Sequence, residues 1–296
     1  MDPKVTELYK KKLIETLDAF TEFCENNNLH YTAAGGTAIG ALRHKGIIPW
    51  DDDIDVCMLR QDYDKLLQIK NKLIGSKYAI ATPEDENYIY PFAKFYDTTT
   101  TLVELKSFGS CVSGAYIDIF ILDEVAGSFE EIRTRKQKYD YLFMRYQQSF
   151  RHFTFEYFIK NLLKGRFEEF KSGLSMLFGR KKETKKRREA FFNYDQDWKK
   201  EKSNRVFNHH TFYKIEKELF PKEWFSSFKK VSFENTSIYV STDIEKYLTQ
   251  LFGDYMTPPS ADKQVSMHYH YYLNLKEGLT LEEVNKRIAI GEHTVI

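Results

Sequence analysis

The densest group of chemically capable side chains is a run of four aspartates within residues 51–55. The surrounding segment, 49–56, has the alternation of a β-strand, which places Asp53 and Asp55 on one face and Ile54 on the opposite, core side. Like charges on one face raise each other's pKa unless a cation lies between them. Because Mg²⁺ and Mn²⁺ prefer oxygen ligands, we predict that Asp53 and Asp55 are metal ligands. The alternative is a solvated acidic turn.

A second motif, Gly35-Gly36-Thr37, separates a predicted strand at 29–34 from a predicted helix. Glycine lets the backbone approach a ligand closely, and the N–H groups at the start of a helix can hold a phosphate. A Gly-Gly turn by itself is often only structural. This one precedes the acidic strand by one helix, and phosphoryl transfer needs a phosphate cradle beside a metal site.

A third carboxylate comes from the segment 116–120, where Asp118 is a single acid within an apolar strand. A buried aspartate is costly unless it is paired or bound to a metal. We therefore predict that Asp118 completes the metal set, the alternative being a strand-edge aspartate that faces solvent. Asp123, at the end of the same strand, is predicted to cap the following helix.

Three segments, Gly35-Gly36-Thr37, Arg43-His44-Lys45-Gly46 and 49–56, together resemble the LicD family of phosphocholine transferases, which includes the fukutin-type ribitol-phosphate transferases. That family belongs to the nucleotidyltransferase superfamily of DNA polymerase beta, whose pattern is a glycine turn, a strand with two spaced aspartates and a third carboxylate on a later strand. The resemblance covers about residues 30–123 and 244–270. One departure is at 267–270, where adjacent histidines are expected, and we assign no role to His268 or His270.

The resemblance implies an α+β fold, with a nucleotidyltransferase-like mixed sheet core, flanking helices and an inserted helical region. It also implies metal-dependent transfer of phosphocholine, or a related alditol phosphate, from a CDP-linked donor such as CDP-choline to a hydroxyl of a cell-surface glycan, of teichoic acid or lipopolysaccharide type, with release of CMP. Mg²⁺ or Mn²⁺ held by Asp53, Asp55 and Asp118 would neutralise charge on the phosphoryl oxygens. Asp118 would also help to deprotonate the acceptor. The alternative is a nucleotidyltransferase that transfers NMP from an NTP to a small acceptor and releases pyrophosphate.

The donor is expected to contact residues around the same site. Gly35-Gly36-Thr37 would hold its diphosphate, and Arg43 and Lys94 would contact its phosphates. The alternatives for these two cations are a helix C-terminal charge favoured by the dipole and a surface lysine on a strand. Trp50 would stack on the base or on a choline cation through its π face, unless it only fills the loop.

Hydrophobic periodicity predicts the elements that must position these residues. Helices are predicted at 4–25, after Gly35, at 62–74, through most of 128–203 and at 243–252, and strands at 29–34, 51–58, 78–82, 88–97, 116–122 and 238–240. We divide the chain into a catalytic core at 1–125, a helical, aromatic and basic accessory region at 126–205, and a C-terminal part at 206–296 that completes the catalytic domain.

Composition excludes several classes of protein. Lys and Arg number 44 and Asp and Glu 43, and the net charge of +1 argues against a nucleic-acid-coating protein. Three widely spaced cysteines argue against a disulfide framework or a CxxC metal site. The N-terminus leads into a charged helix rather than a signal core, and we find no apolar run of the roughly 18 residues that span a bilayer. We therefore expect a cytoplasmic protein.

The accessory region carries an aromatic and basic stretch at 150–190. Residues 180–189 hold seven cations and two anions. This composition is typical of a helical subdomain with one solvated basic face; the alternative is contact with an anionic membrane surface, where a lipid-linked glycan acceptor would be reached. A nucleic-acid-binding role for the basic run conflicts with the overall charge balance.

Overall fold

The structure, a computed structural model, describes residues 2–85, 88–105, 111–150, 155–198, 201–211, 213–266, 268 and 270–296. Its helices are α1 (Pro3–Asn26), α2 (Gly35–Ile39), α3 (Arg60–Ile69), α4 (Phe129–Gln148), α5 (Phe155–Leu163), α6 (Phe167–Trp198), α7 (Ile215–Glu218), α8 (Ile244–Phe252) and α9 (Leu281–Ala289). Its strands are β1 (Thr32–Ala33), β2 (Asp55–Leu59), β3 (Tyr78–Ala81), β4 (Ala93–Asp97), β5 (Thr101–Val103), β6 (Tyr116–Glu124), β7 (Arg205–Phe207), β8 (Leu219–Pro221), β9 (Phe228–Phe233), β10 (Thr236–Ser241), β11 (Tyr272–Asn274) and β12 (Thr294–Val295).

The central sheet is mixed. Its main path runs β1-β2-β6-β4-β3, and β7 and β8 extend it from β6. Strands β2 and β6 are parallel, whereas β1, β4 and β7 join their neighbours in the antiparallel sense. Smaller sheets are formed by β9 with β10 and by β5 with β11 and β12. Together with the flanking helices, this confirms the predicted α+β fold with a nucleotidyltransferase-like mixed sheet.

Helix α1 lies against this sheet through its apolar stripe. The Asp2 carboxylate caps the helix by accepting a hydrogen bond from Lys4 N at 2.9 Å. Tyr9, Leu13 and Phe20, which recur at helical spacing, are completely buried in the main core. The helix predicted at 4–25 is therefore confirmed, and its burial supports one side of the sheet that carries the acidic residues.

Several predicted strands are shorter in the structure. The acidic strand begins at Asp55, the first residue paired with β6, instead of residue 51. The strand expected at 29–34 is reduced to β1, which pairs with β2 over two residues before α2 begins. The ends of these strands depend on pairing with strands that lie far away in the sequence. Hydrophobic alternation alone therefore overestimates strand length.

Residues between β6 and β7 are mainly helical, as predicted. Helix α4 begins with a capping box formed by Ser128 and Glu131 and packs against α6. The backbone at Gly179 is non-helical and kinks α6. In the part of the chain that the structure describes, no helix is long and apolar enough to cross a membrane.

The prediction that Asp123 caps the next helix is wrong, because Ser128 does so. Asp123 is buried within the nine-residue strand β6 and accepts two hydrogen bonds from Arg60, at 2.6 and 2.7 Å. Its second carboxylate oxygen lies 3.2 Å from Nε2 of His209. These partners hold the pKa of the Asp123 carboxyl well below its usual range, against the opposing effect of burial. Asp123 therefore ties β6 to α3 and to the segment after β7.

Candidate active site

The parallel pairing of β2 with β6 brings two of the predicted carboxylates together. Asp55 is in register with Asp118, and the Asp118 N–H donates to the carbonyl oxygen of Ile54 at 2.9 Å. Paired residues of neighbouring strands project to the same side of a sheet. Asp53, two residues before Asp55, joins them as a partly buried carboxylate. The structure thus brings Asp53, Asp55 and Asp118 into one cluster.

These carboxylates are electrostatically strained. Burial, followed by the charges of Asp53 and Asp118, raises the pKa of Asp55 well above its usual range. Burial and the neighbouring Asp51 and Asp118 likewise raise the pKa of Asp53, although His268 opposes this. Burial raises the pKa of Asp118 to about 6. Buried carboxylates that lie close together stay ionised more readily when a cation is near them.

One such cation, Lys94, belongs to the protein itself. Lys94 is only 1% exposed, and its Nζ lies 2.7 Å from Oδ1 of Asp118 and 3.3 Å from Oε2 of Glu104. The same ammonium lies 3.3 Å from the centroid of the Tyr116 ring. Tyr90 and Tyr116 both donate their hydroxyl protons to Glu104, at 2.6 and 2.8 Å. The surface-lysine alternative is therefore wrong, because Lys94 is buried against Asp118.

The Gly35-Gly36-Thr37 turn is fastened to the start of β2. Thr37 Oγ1 accepts a hydrogen bond from Asp55 N at 2.9 Å, and Ala34 N donates to Asp55 O at 3.0 Å. Gly35 has φ of +50° and its N–H donates to the hydroxyl oxygen of Tyr247 at 3.2 Å. A residue with a side chain rarely adopts this φ. Ala34 and Thr37, on either side of the two glycines, therefore hold Asp55 by both of its backbone groups.

The backbone at Gly36 lies very close to the side chain of Asp51, which explains the glycine at this position. A Cβ on Gly36 would lie 2.6 Å from Oδ2 of Asp51, which is inside any normal contact distance. The absence of a side chain at Gly36 therefore lets the acidic segment pass directly beside the turn. The predicted phosphate cradle and the predicted metal ligands are thus adjacent in space as well as in sequence.

Arg43 and Trp50 lie close together beyond the C-terminal end of α2. Arg43 lies in a π-helical turn, Gly40–His44, that continues α2, and donates from an Nη1 to the carbonyl oxygen of Tyr255 at 2.6 Å. Its guanidinium is 6.0 Å from the centroid of the Trp50 ring, which meets the His44 ring edge-on at 5.8 Å. Both side chains are partly exposed, so both are accessible to a ligand.

His268 is a site residue to which sequence reasoning assigned no role. Its Nδ1 lies 2.9 Å from Oδ1 of Asp52, and its Nε2 lies 3.2 Å from Oδ2 of Asp53. The hydrogen bond with Asp52 raises the pKa of His268 to about 9, and the nearby Asp53 adds to this effect. Ser266 donates to the other oxygen of Asp52 at 2.8 Å. The neighbouring Met267 and Tyr269 of the 267–270 motif lie outside the described residues.

Comparison with known proteins agrees with this geometry. Residues 28–172 match a family model described as the LicD/FKTN/FKRP nucleotidyltransferase domain. This chain carries a LicD-family domain. The match confirms the resemblance drawn from the sequence, and the turn at residue 35 and the carboxylates on β2 and β6 all fall within it.

One curated relative matches over more of the chain, and two others match over shorter segments. This chain is 28% identical over 260 residues to the lipopolysaccharide cholinephosphotransferase LicD of Haemophilus influenzae, covering 86% of this chain and 92% of that protein. An uncharacterised protein of Rickettsia prowazekii is 46% identical over 48 residues, 16% of this chain and 18% of its own. One of Rickettsia typhi is 35% identical over 66 residues, 22% of this chain and 21% of its own.

The LicD-family match does not include every residue of the site. Tyr247 and His268 come from the part of the chain after residue 172, yet they contact Gly35 and Asp53 directly. The only local hint in the sequence was the pair of histidines within 267–270. Their distance from the acidic segment, 216 residues between Asp52 and His268, hid the contact.

The donor set fits a hard divalent cation. Asp53, Asp55 and Asp118 offer carboxylate oxygens, the ligands that Mg²⁺ and Mn²⁺ prefer. Their raised pKa values show that the cluster lacks enough positive charge of its own. Among the residues that the structure describes, it is Asp51, Asp52 and His268 that each place one possible ligand atom within 4.8 Å of the others. The LicD-family site thus has the composition that metal-assisted phosphoryl transfer requires.

Proposed function

We propose that this protein is a metal-dependent transferase that moves phosphocholine, or a related alditol phosphate, from a CDP-linked donor to a hydroxyl of a cell-surface glycan and releases CMP. The observation that carries the proposal is the register of Asp55 with Asp118, which places carboxylates beside the Gly35-Gly36-Thr37 turn. The cholinephosphotransferase named among the relatives supports choline as the transferred group and lipopolysaccharide as the class of acceptor.

In the proposed reaction each of these groups has a role. The acceptor hydroxyl oxygen bonds to the phosphorus that bears choline, the bond from that phosphorus to the bridging oxygen breaks, and CMP leaves with the electron pair. Asp118, whose pKa burial raises to about 6 when no metal is bound, accepts the hydroxyl proton. Asp53, Asp55 and Asp118 would hold Mg²⁺ or Mn²⁺, which would neutralise the phosphoryl charge.

Other residues bind and orient the donor. The backbone at Gly35-Gly36-Thr37 holds its diphosphate, because glycine leaves room for close approach. Arg43 contributes positive charge, and Trp50 offers a π face for the cytosine or the choline cation. Lys94 is buried and forms an ion pair with Asp118, so it acts on the site through that carboxylate.

The activity is tested by incubating the purified chain with CDP-choline, Mg²⁺ and lipopolysaccharide or teichoic acid. CMP release that depends on the acceptor and disappears with a chelator is the expected result. Pyrophosphate release from NTPs without CMP formation from any CDP-linked donor contradicts the proposal and identifies a nucleotidyltransferase.

The donor is identified separately by thermal unfolding. CDP-choline, CDP-ribitol, CDP-glycerol and NTPs are compared, each with Mg²⁺, because a ligand that binds the native state raises Tm by mass action. We expect CDP-choline to raise Tm, and Asp53→Asn to abolish that rise. A Tm increase of the same size in the variant would show that the nucleotide binds elsewhere.

A further inference from the structure

The hairpin formed by α5 and the first half of α6, residues 155–178, exposes a large apolar surface. Leu163 and Phe178 are 82% and 85% exposed, whereas such side chains normally contribute to a core. Five more apolar side chains of the hairpin are each at least 41% exposed: Ile159, Leu162, Phe167, Leu174 and Leu177. We call these seven residues the apolar face.

The apolar face is continuous along each helix. On α5 its members are at 159, 162 and 163, the i, i+3, i+4 spacing of one helical side. On α6 they are at 167, 174, 177 and 178, which again share one side of the helix. Contiguous exposed apolar patches of this kind mark interaction sites.

The two helices of the hairpin pack against each other, so the exposure does not come from an unformed structure. A Cβ on Gly173 would lie 2.8 Å from the Phe158 ring, which shows how closely the two helices approach. The rings of Phe158 and Phe170 meet at 5.7 Å, and the Tyr157 hydroxyl donates to the carbonyl oxygen of Glu169 at 3.2 Å. The two helices therefore hold the apolar face in one orientation.

Positive charge surrounds the apolar face. Residues 156–182 contain seven Lys or Arg and three Glu, a net charge of +4 in a chain whose total is +1. Lys160 and Lys164, one helical turn apart, are both exposed beside the apolar residues of α5, and Lys171 is exposed beside those of α6. An exposed apolar stripe edged by cations is the pattern of helices that lie in the interface of an anionic bilayer.

We infer that the apolar face docks this protein on an anionic lipid bilayer, with its apolar side chains at the headgroup boundary and its lysines on lipid phosphates. A second copy of the chain is a poorer partner, because its face would bring the same positive charges together. This inference stands independently of the proposed transferase activity.

Sedimentation with vesicles tests the inference. The full chain should bind vesicles of phosphatidylcholine with about 30% phosphatidylglycerol, bind pure phosphatidylcholine at least about tenfold more weakly, and lose binding as salt is raised. The double variants Leu163→Ser/Phe178→Ser and Lys160→Glu/Lys164→Glu should each reduce partitioning at least about tenfold. All four positions are exposed, so the fold is retained, as circular dichroism would verify.

Matched controls change equally exposed residues elsewhere. Ile74→Ser/Ile290→Ser alters apolar side chains that are 81% and 78% exposed, and Lys11→Glu/Lys229→Glu alters two exposed lysines. Both controls should retain binding within about twofold. The inference is overturned if the chain does not bind the anionic vesicles, or if hairpin and control variants lose binding equally. It is also overturned if the wild type is a dimer in sedimentation velocity that Leu163→Ser/Phe178→Ser makes monomeric.

Discussion

At the residue scale, Asp55 illustrates how a functional group opposes stability. Its ionised form is disfavoured by burial and by Asp53 and Asp118, so at neutral pH it costs the folded state free energy. A carboxylate whose pKa is strongly raised by burial and by neighbouring charges is typical of functional sites. Removing its charge should therefore separate activity from stability.

We predict that Asp55→Asn lowers turnover at least about a hundredfold. Without divalent cations the variant should nevertheless be more stable than the wild type at pH 8, by about 1 kcal/mol or more. Activity assays and thermal unfolding in EDTA measure the two effects. The exposed Asp262→Asn serves as control and should change neither. A variant that is inactive and also less stable would argue for a purely structural Asp55.

Lys94 has a different role, since it stabilises the carboxylates that surround it. We predict that Lys94→Met costs about 3–5 kcal/mol, because it leaves Asp118 and Glu104 without their buried cation. Lys94 lowers the pKa of Asp118, so without it that pKa should rise above about 6. The acidic limb of the activity profile should then move to higher pH, which pH–rate measurements on the folded fraction would show.

A control for this variant is Lys77→Met, which removes a lysine 3.1 Å from the buried Asp97. It should lower stability while leaving the pH profile of the remaining activity unchanged. If both variants shift the profile equally, the effect of Lys94 is a general loss of stability.

At the element scale, the glycines of α2 and of the π-helical turn that follows it offer a prediction about close approach. In Gly36→Ala the new methyl group meets the carboxylate of Asp51, which can move aside. In Gly40→Ala it lies 2.4 Å from the backbone oxygen of Gly46, which cannot move without shifting the loop. We expect Gly36→Ala to weaken activity with little change in Tm, and Gly40→Ala to lower Tm by several degrees. Equal loss of Tm in both would contradict this reasoning.

Helix α7 carries a pH-sensitive group that the proposed reaction does not use. Glu218 is buried, and desolvation raises its pKa to about 7, although the hydrogen bond that it accepts from Thr211 at 2.6 Å opposes this. The unfolded chain ionises Glu near pH 4.3. Because the folded pKa is raised, this carboxyl lowers stability as pH rises from about 4.3 through about 7, and the loss is complete above that pH.

We predict that Glu218→Gln removes this pH dependence. The amide retains an oxygen acceptor for Thr211, so the variant should match the wild type at pH 4.5 and exceed its stability at pH 8 by on the order of 3 kcal/mol. Urea unfolding at the two pH values measures the difference. The half-exposed Glu216→Gln, two residues earlier in α7, should show no such effect. An equal gain at both pH values would indicate a packing effect instead.

Local sequence patterns predicted the helices and strands better than the contacts between them. Alternation grouped Asp53 with Asp55, and the two do lie close together although Asp53 precedes β2. A single acid among apolar residues singled out Asp118. Alternation could not show that Thr37 accepts from the Asp55 amide or that Lys94 is buried. Those facts depend on strand pairing, which joins residues far apart in sequence and leaves no local trace.

At the scale of the whole molecule, the site depends on the C-terminal part of the chain. The LicD-family match ends at residue 172, yet the main core includes Phe220, Ile238 and Leu248. We predict that a chain truncated after residue 204 loses cooperative unfolding, because this apolar surface is removed from the core. Calorimetry and near-ultraviolet circular dichroism would measure it. A sharp transition at the Tm of the full chain would show that the N-terminal part folds alone.

The helical region between β6 and β7 begins and ends at neighbouring positions of the sheet. The chain leaves the sheet at the end of β6 and comes back as β7, with Asp123 opposite Phe207 and Glu124 opposite Val206. Antiparallel neighbours are about 5 Å apart, so the two ends of the intervening segment nearly touch. A segment joined in this way can be lengthened, shortened or replaced in evolution without moving Asp118. Proteins that share this catalytic sheet are therefore expected to differ most in what they carry between these two strands.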